Sequence, residues 1–351
     1  ASDTPSVLSR TGAFNQAATS GNSDIFVYMF DANMVQTWGT YLGGTSYEDA
    51  MGIKFDNLNN LYLFNRTSST DAPMVDLGSG AFYDNVYADN QDYWLVKFDV
   101  NGSMVWSTLF GGDGLEGLSY SQVEVNDNND VIFTSSTRST VMPLLDPGNG
   151  AYYQTTPVGL NDGMGGSQGS GFLMRFDENA VLLHGTYMGE DNESNYIQGQ
   201  TKGKNGEHYL LFQAKDFPIT TLTGAYNVSN ADPTKYGYMA MEMNPDFAIN
   251  WASYVHSDSC YMERMVTDLN NGRLYITGTT QATDFPYTDP AGGAYYDDQW
   301  NASANRAWAI MEFETCSTPD QPATITGAVE LCEGDTETYS VTNDPDANDY
   351  T

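Results

Sequence analysis

The chain has 351 residues, with 46 acidic and 13 basic side chains and a formal net charge of −33. This balance excludes a nucleic-acid partner, which is held through Lys and Arg on phosphates, and electrostatic docking to an anionic membrane. Apolar residues make up 40% of the chain, and no apolar run is long enough to span a bilayer. The composition therefore predicts a folded chain without membrane insertion.

A Gly-Ala-aromatic element recurs along the chain. Its copies begin at residues 12, 80, 150, 224 and 293, at offsets of 68, 70, 74 and 69 residues. Self-similarity at a fixed period is typical of repeat architectures. The spacing predicts a structural unit of about 70 residues that is repeated along the chain.

A second series, out of phase with the first, predicts a hairpin in each unit. An Asp or Asn precedes a Trp or His by seven residues and a Thr or Ser by nine. The four copies are Asp31-Trp38-Thr40, Asp99-Trp106-Thr108, Asp177-His184-Thr186 and Asn244-Trp251-Ser253. A short apolar strand precedes each Asx residue, whose side chain is expected to cap the turn. We expect the recurring Trp residues to be buried between sheets; stacking on sugars is the alternative.

Each unit also contains a further pair of strands joined by Asn- and Asp-rich turns. These pairs are 50–56 with 61–66, 123–127 with 131–137, 196–201 with 208–213, and 262–268 with 273–278. Four strands per unit predict an all-β fold, a β-propeller of four-stranded blades of about 70 residues. The blades are expected near 50–110, 121–188, 196–255 and 262–313, the last without an evident fourth strand.

Several motifs carry a resemblance to a known family. They are Trp38 to Gly44, Trp106 to Gly112, Leu274 to Gly278, and Asp284-Phe285-Pro286 with Gly293-Ala294-Tyr295. In this order they resemble the SBBP repeats, the seven-bladed β-propeller repeats of bacterial surface proteins. The resemblance covers residues 1–315 and implies a propeller that is incomplete at the N-terminus. The third copy departs from the pattern at His184, and the fourth at His256-Ser257.

The composition changes after Cys316. Residues 317–351 contain eight acidic residues and no Lys or Arg. Residues 316–323 are predicted to be a linker. Residues 324–351 resemble the start of the PKD-like, Ig-like modules found in proteins exported by the type IX system of gliding bacteria, which implies the beginning of an Ig-like β-sandwich.

Two Asp/Asn-rich turns are candidate calcium sites, because calcium takes carboxylate and carbonyl oxygens as ligands. The candidate ligands are Asp127, Asn129 and Asp130 in one turn, and Asp268 and Asn270 in the other. Neither turn has the EF-hand spacing. Simple hairpin-turn chemistry is the competing interpretation.

No motif predicts catalysis. A GxSxG match at 165–169 lies in a Gly-rich loop, without the strand and helix that a nucleophile elbow needs. The resemblances instead imply a non-enzymatic adhesion or interaction module at the cell surface, exported by the type IX route. Its partners would be a surface polysaccharide, a protein or neighbouring modules, bound through the loops 155–170 and 296–306. The alternatives are a carbohydrate-binding or carbohydrate-active propeller and a structural spacer in a surface filament or stalk.

Overall fold

A computed structural model gives the fold of residues 7–88, 91–117, 121–160, 169–190, 195–222, 225–226, 228–230, 236–256, 260–281, 285 and 307–313. These residues contain 17 strands and no helix. The strands are β1 (Ile25–Phe30), β2 (Gln36–Leu42), β3 (Glu48–Phe55), β4 (Leu61–Thr67), β5 (Asp92–Phe98), β6 (Met104–Phe110), β7 (Gln122–Val125), β8 (Val131–Thr137), β9 (Ser170–Phe176), β10 (Leu182–Met188), β11 (Tyr196–Lys202), β12 (His208–Ala214), β13 (Gly237–Met243), β14 (Ile249–His256), β15 (Cys260–Thr267), β16 (Leu274–Thr280) and β17 (Ala307–Phe313).

The strands form five antiparallel sheets in chain order. Sheet 1 is β1-β2, sheet 2 is β3-β4-β5-β6, sheet 3 is β7 to β10, sheet 4 is β11 to β14, and sheet 5 is β15-β16-β17. Four-stranded antiparallel sheets of this kind are the blades of propeller-like folds. The predicted all-β class and the four predicted sheets are confirmed, including the three-stranded last sheet.

The middle strands of the inner sheets are buried on both sides because these sheets are covered on both faces. All seven residues of β5 and of β8 are buried. We call the face turned toward the next sheet along the chain the forward face, and the other the rear face. Tyr93 on the forward face of sheet 2 contacts Phe172 on the rear face of sheet 3, with ring centroids 5.2 Å apart.

The recurring tryptophans lie inside these interfaces. Trp38, Trp106 and Trp251 are 0%, 2% and 6% exposed. Trp38 packs edge-on against Phe98 of the next sheet, with ring centroids 5.5 Å apart. The expectation that the tryptophans are buried is confirmed, and His184 in the equivalent position is buried as well.

The Gly-Ala-aromatic element clips each sheet to the next one. In the first copy, the Phe14 N–H donates to the carbonyl of Gly102 in the following unit, and the Phe14 carbonyl accepts from Trp38 Nε1 at 3.0 Å. Gly12 has a φ of +82°, a left-handed conformation that favours glycine. The later copies at Phe82 and Tyr152 make the same backbone bond, to the carbonyls of Ala180 and Phe247.

The hydroxyl two residues after each Trp or His anchors the same clip. The residue two positions beyond the clip aromatic donates its N–H to this hydroxyl at 2.8 Å in each of four units. The pairs are Gln16 with Thr40, Asp84 with Thr108, Gln154 with Thr186, and Val228 with Ser253. The two out-of-phase series in the sequence are therefore the two halves of one contact.

The first strand of each complete unit lies at the edge of its sheet, and these edges are neighbours. β3 lies beside β7, β7 beside β11, and β11 beside β15. The compact unit that contains the five sheets ends at Phe313. The predicted linker 316–323 and the Ig-like start at 324–351 lie outside the described residues, so both remain predictions.

Candidate functional site

The neighbouring first strands β3, β7, β11 and β15 are called the inner edges of the sheets. A cleft of about 740 Å³ opens along these edges. Its walls come from β3, from the C-terminal end of β4, from the start of β7 and from β15. The lining residues are Asp49, Ala50, Met51, Gly52, Ile53, Arg66, Gly117, Ser121, Gln122, Val123 and Arg264. The cleft is polar, open to solvent, and assembled from residues that are distant in sequence.

Arg66 is fixed at one side of this cleft by two contacts. Its Nη2 atom is 2.6 Å from Oδ2 of Asp49 on the neighbouring strand, and its Nη1 donates to the Gly117 carbonyl at 3.0 Å. Gly117 has a φ of +77°, and a Cβ there would lie 2.8 Å from Arg66 Cδ. A side chain at position 117 would therefore clash with Arg66, and glycine lets the arginine side chain approach the loop closely.

The lining of the cleft also includes the amide of Gln122 and a second arginine, Arg264. Gln122 bridges β7 to β11: its Nε2 donates to the Gln198 carbonyl at 3.0 Å, and its Oε1 accepts from the Gln200 N–H at 3.1 Å. Arg264 reaches the cleft from β15. Two arginines and one aspartate give the lining a formal charge of +1, within a chain whose net charge is −33.

The turn that holds Asp127, Asn129 and Asp130 joins β7 to β8, and protein groups occupy its oxygens. Asp130 Oδ2 is 2.6 Å from the Arg175 guanidinium group, and Asp127 Oδ1 is 2.7 Å from Lys202 Nζ. Asn129 Oδ1 accepts from the Asn57 N–H at 3.0 Å. The three side chains point to three different partners, which is the behaviour of a hairpin turn that also links adjacent sheets.

The second predicted turn lies in sheet 5, between β15 and β16. Asp268 Oδ1 accepts from the N–H of Asn270 at 2.9 Å, which is an Asx turn. Among the described residues, no three His, Cys, Asp or Glu side chains form a group that could hold a metal ion. Calcium binding at these two turns stays a prediction.

Buried ionisable groups elsewhere lie at the junctions between sheets. Glu116 is fully buried, and its Oε1 accepts from the hydroxyls of Ser139 and Thr137. Burial, together with the nearby carboxylate of Asp92, raises the pKa of Glu116 to about 8. Burial also lowers the pKa of His208 to about 3, so this histidine is neutral and bonds Gln200 Oε1 at 2.9 Å.

The inner-edge cleft was not predicted from the sequence. The loops chosen as the ligand surface were 155–170 and 296–306; residues 161–168 and 296–306 lie outside the described residues. The signal that could have indicated the cleft is the scarcity of basic residues. The chain has 13 Lys and Arg residues, and two of them, Arg66 and Arg264, lie on predicted strands.

Comparisons with known proteins give only distant resemblances. No family model matches the chain, and no curated protein matches it. The solved structures that are similar in part include the following three. A xylan β-1,4-xylosidase from Bacillus halodurans is 13% identical with a TM-score of 0.28, over 88% of this chain and 45% of that one.

The other two structures are similarly distant. A gluconolactonase from Xanthomonas campestris is 11% identical with a TM-score of 0.23, over 68% of this chain and 72% of that chain. A DUF4221 family member from Bacteroides vulgatus is 9% identical with a TM-score of 0.22, over 82% of this chain and 99% of that chain. The chain spans less than half the length of the xylosidase, and TM-scores this low carry no argument about activity.

Proposed function

We propose that this chain is a non-enzymatic interaction module of a bacterial cell-surface or secreted protein, built as a β-propeller of SBBP-type repeats and exported by the type IX route. Its ligand is a carboxylated surface polysaccharide, bound in the inner-edge cleft. The observation that carries this proposal is the pair of arginines in a solvent-open polar cleft of an otherwise strongly acidic chain.

The chemistry of the cleft supports an acidic ligand. A guanidinium group presents a planar fork of donors that matches a carboxylate. Arg66 is held in place by Asp49 and the Gly117 carbonyl, so little side-chain freedom is lost when a ligand binds. The rest of the chain is negatively charged, so an acidic polysaccharide is attracted to the positive cleft and repelled from the surface around it.

The arrangement of carboxylates in the cleft favours binding over hydrolysis. Glycoside hydrolases use two carboxyl groups on either side of the scissile bond. Among the residues that the structure describes, the cleft lining has one carboxyl group, Asp49, which is paired with Arg66. This supports the interaction module over the carbohydrate-active alternative, and the test includes a hydrolysis assay.

The test measures binding of hexagalacturonate, of cellohexaose and of poly-L-glutamate to the whole chain by calorimetry. We expect hexagalacturonate to bind and the neutral hexasaccharide not to. Arg66→Gln should abolish binding, whereas Arg273→Gln should not, because Arg273 pairs with Glu312 away from the cleft. Reducing-end release during the titration would instead support the carbohydrate-active alternative.

Two further outcomes separate the remaining alternatives. Equal binding of poly-L-glutamate would favour a protein ligand. No binding of any probe, or binding that survives Arg66→Gln, would overturn the polysaccharide proposal and leave the structural spacer.

A further inference from the structure

Arg66 shares its guanidinium group with a carboxylate of the protein itself. Asp49 lies directly opposite Arg66 on the β3–β4 hairpin, and its Oδ2 atom is 2.6 Å from Arg66 Nη2. A guanidinium group has five N–H donors. Among the residues that the structure describes, two of these donors have partners, namely Asp49 and the Gly117 carbonyl. Donors therefore remain for a ligand on an arginine that already binds one carboxylate.

The accessible part of Arg66 is the end at which Asp49 is bound. The Nε atom of Arg66 is buried, and the side chain as a whole is 23% exposed. The side chain of Asp49 is 52% exposed. A ligand therefore has to approach the guanidinium group at its Nη atoms, next to the carboxylate of Asp49.

The fold does not require an ion pair at this position of the hairpin. Asp49 and Arg66 pair across the first two strands of sheet 2. The corresponding pairs in sheets 4 and 5 are Tyr196 with Gln213 and Tyr261 with Thr279. Neither of these pairs is charged, and both hairpins form. Asp49 is therefore a residue of the cleft, not of the repeated framework.

The charge of Asp49 opposes the binding of an acidic ligand. A ligand carboxylate on the Nη atoms of Arg66 would lie beside the Asp49 carboxylate, because both groups bind the same small guanidinium group. Like charges at such a distance repel each other, and more strongly near a protein surface than in bulk water. Removal of the Asp49 charge would raise the formal charge of the cleft lining from +1 to +2.

We propose that Asp49 limits the affinity of the cleft for its carboxylated ligand, because its charge competes with the ligand for Arg66. This inference rests on the proposed function and adds the residue that regulates binding at the same site. Asp49 has two opposing roles in the cleft. Its hydrogen bond holds Arg66 in place, and its negative charge weakens the attraction of Arg66 for a second carboxylate.

Asp49→Asn separates these two roles. An asparagine side chain keeps a carbonyl oxygen that can accept from Arg66 Nη2, but it carries no charge. In calorimetric titrations at 0.1 M salt, we expect the dissociation constant for hexagalacturonate to fall about three- to fivefold relative to the parent chain, the range expected for a partly exposed charge. The melting temperature should change little, because Asp49 is half-exposed.

The matched control is Glu312→Gln. It removes the same charge from an ion pair outside the cleft, in which Arg273 and Glu312 are 40% and 41% exposed. The net charge of the chain changes equally in both variants, so a general loss of repulsion would tighten binding in both. We expect Glu312→Gln to bind hexagalacturonate as the parent chain does.

The salt dependence distinguishes a charge effect from a change in shape. The screening length falls from about 10 Å at 0.1 M salt to about 3 Å at 1 M. The ratio of the dissociation constants of the parent chain and Asp49→Asn should therefore fall toward one as salt is added. A ratio that stayed constant would overturn the proposal, since a new hydrogen bond or a wider cleft would then explain the gain.

The failure of this inference differs from the failure of the proposed function. Equal or weaker binding of hexagalacturonate by Asp49→Asn than by the parent chain would overturn the inference, and the proposed function would stand. Binding by Asp49→Asn but not by the parent chain would support the inference in its strongest form. If neither protein bound hexagalacturonate, the proposed function would be overturned and this inference with it.

Discussion

The last strands of the units and the cleft differ in how strictly their residues repeat. On the last strands, the hydroxyls Thr40, Thr108, Thr186 and Ser253 each anchor the same clip. In the cleft, the strand registers make Arg66 equivalent to Ser136, Gln213 and Thr279. Residues that recur in each unit hold the sheets together, and residues that occur in one unit form the cleft.

The largest expected effect comes from breaking a repeated contact. Trp106→Ala removes a ring that is 2% exposed, and we expect it to lower the free energy of unfolding by about 3–5 kcal/mol. Trp308→Ala is the matched control: at 76% exposure it should change stability by no more than about 0.5 kcal/mol. If urea unfolding showed the same loss of free energy for both variants, the claim that the repeated contact holds the sheets together would be contradicted.

The second prediction concerns two glutamates at equivalent sheet junctions. Burial raises the pKa of Glu116 to about 8, so the folded chain holds a proton there that the unfolded chain releases near its ordinary value. The stabilisation by this proton is complete below the ordinary pKa. It decreases as the pH rises from that value to about 8 and is lost above it. Glu116→Gln should therefore be increasingly stabilising, relative to the parent chain, between pH 5 and 9.

The matched control for Glu116 is Glu48→Gln. The two oxygens of Glu48 accept from Thr67 Oγ1 at 2.7 Å and from the Gly44 N–H at 3.1 Å. An amide places a donor against one of these donors, so the variant should be less stable than the parent chain. Parallel melting curves for Glu116→Gln and the parent chain across this pH range would contradict the assignment.

A smaller effect on stability is expected at the cleft. Arg66→Gln removes a partly exposed ion pair with Asp49, and such pairs contribute about 0–1 kcal/mol. The melting temperature should change little while hexagalacturonate binding is lost. If the variant did not fold, as judged by thermal melts, Arg66 would be needed for the fold and not only for ligand binding.

The smallest effect is expected from calcium. Asp127 and Asp130 already pair with Lys202 and Arg175, so an ion must displace them. Calcium at its own dissociation constant stabilises a fold by about 0.4 kcal/mol. Lys202→Ala frees Asp127 and should enlarge the rise in melting temperature with calcium over chelator. If the melting curves with calcium and with chelator were identical at matched ionic strength, in both the parent chain and the variant, only the hairpin-turn interpretation would remain.

The sequence predicted the repeated part of the molecule well, because repetition multiplies a weak local signal. Strand pairs, Asx turns and the buried Trp residues followed from spacing. The role of the Gly-Ala-aromatic element could not be predicted from the spacing. Phe14 contacts Gly102 of the following unit, and a repeat pattern does not say which unit is contacted.

The cleft could not be predicted in the same way. Asp49 and Arg66 are register partners on the β3–β4 hairpin, and Arg264 of β15 joins them only because the inner edges of the sheets are neighbours. Arg264 stands at the position that is Gly52, Gln122 and Gly199 in the other sheets. A departure from the repeat carries no periodic signal, so its meaning depends on the three-dimensional arrangement.

The most direct test of the claim that non-repeating inner-edge residues bind the ligand is calorimetric titration of Arg264→Gly with hexagalacturonate. The variant carries the residue that sheets 2 and 4 have at this position, so the fold should be retained. We predict that the variant binds hexagalacturonate at least about tenfold more weakly than the parent chain. It should melt at the same temperature as the parent chain. Binding equal to that of the parent chain would contradict the account.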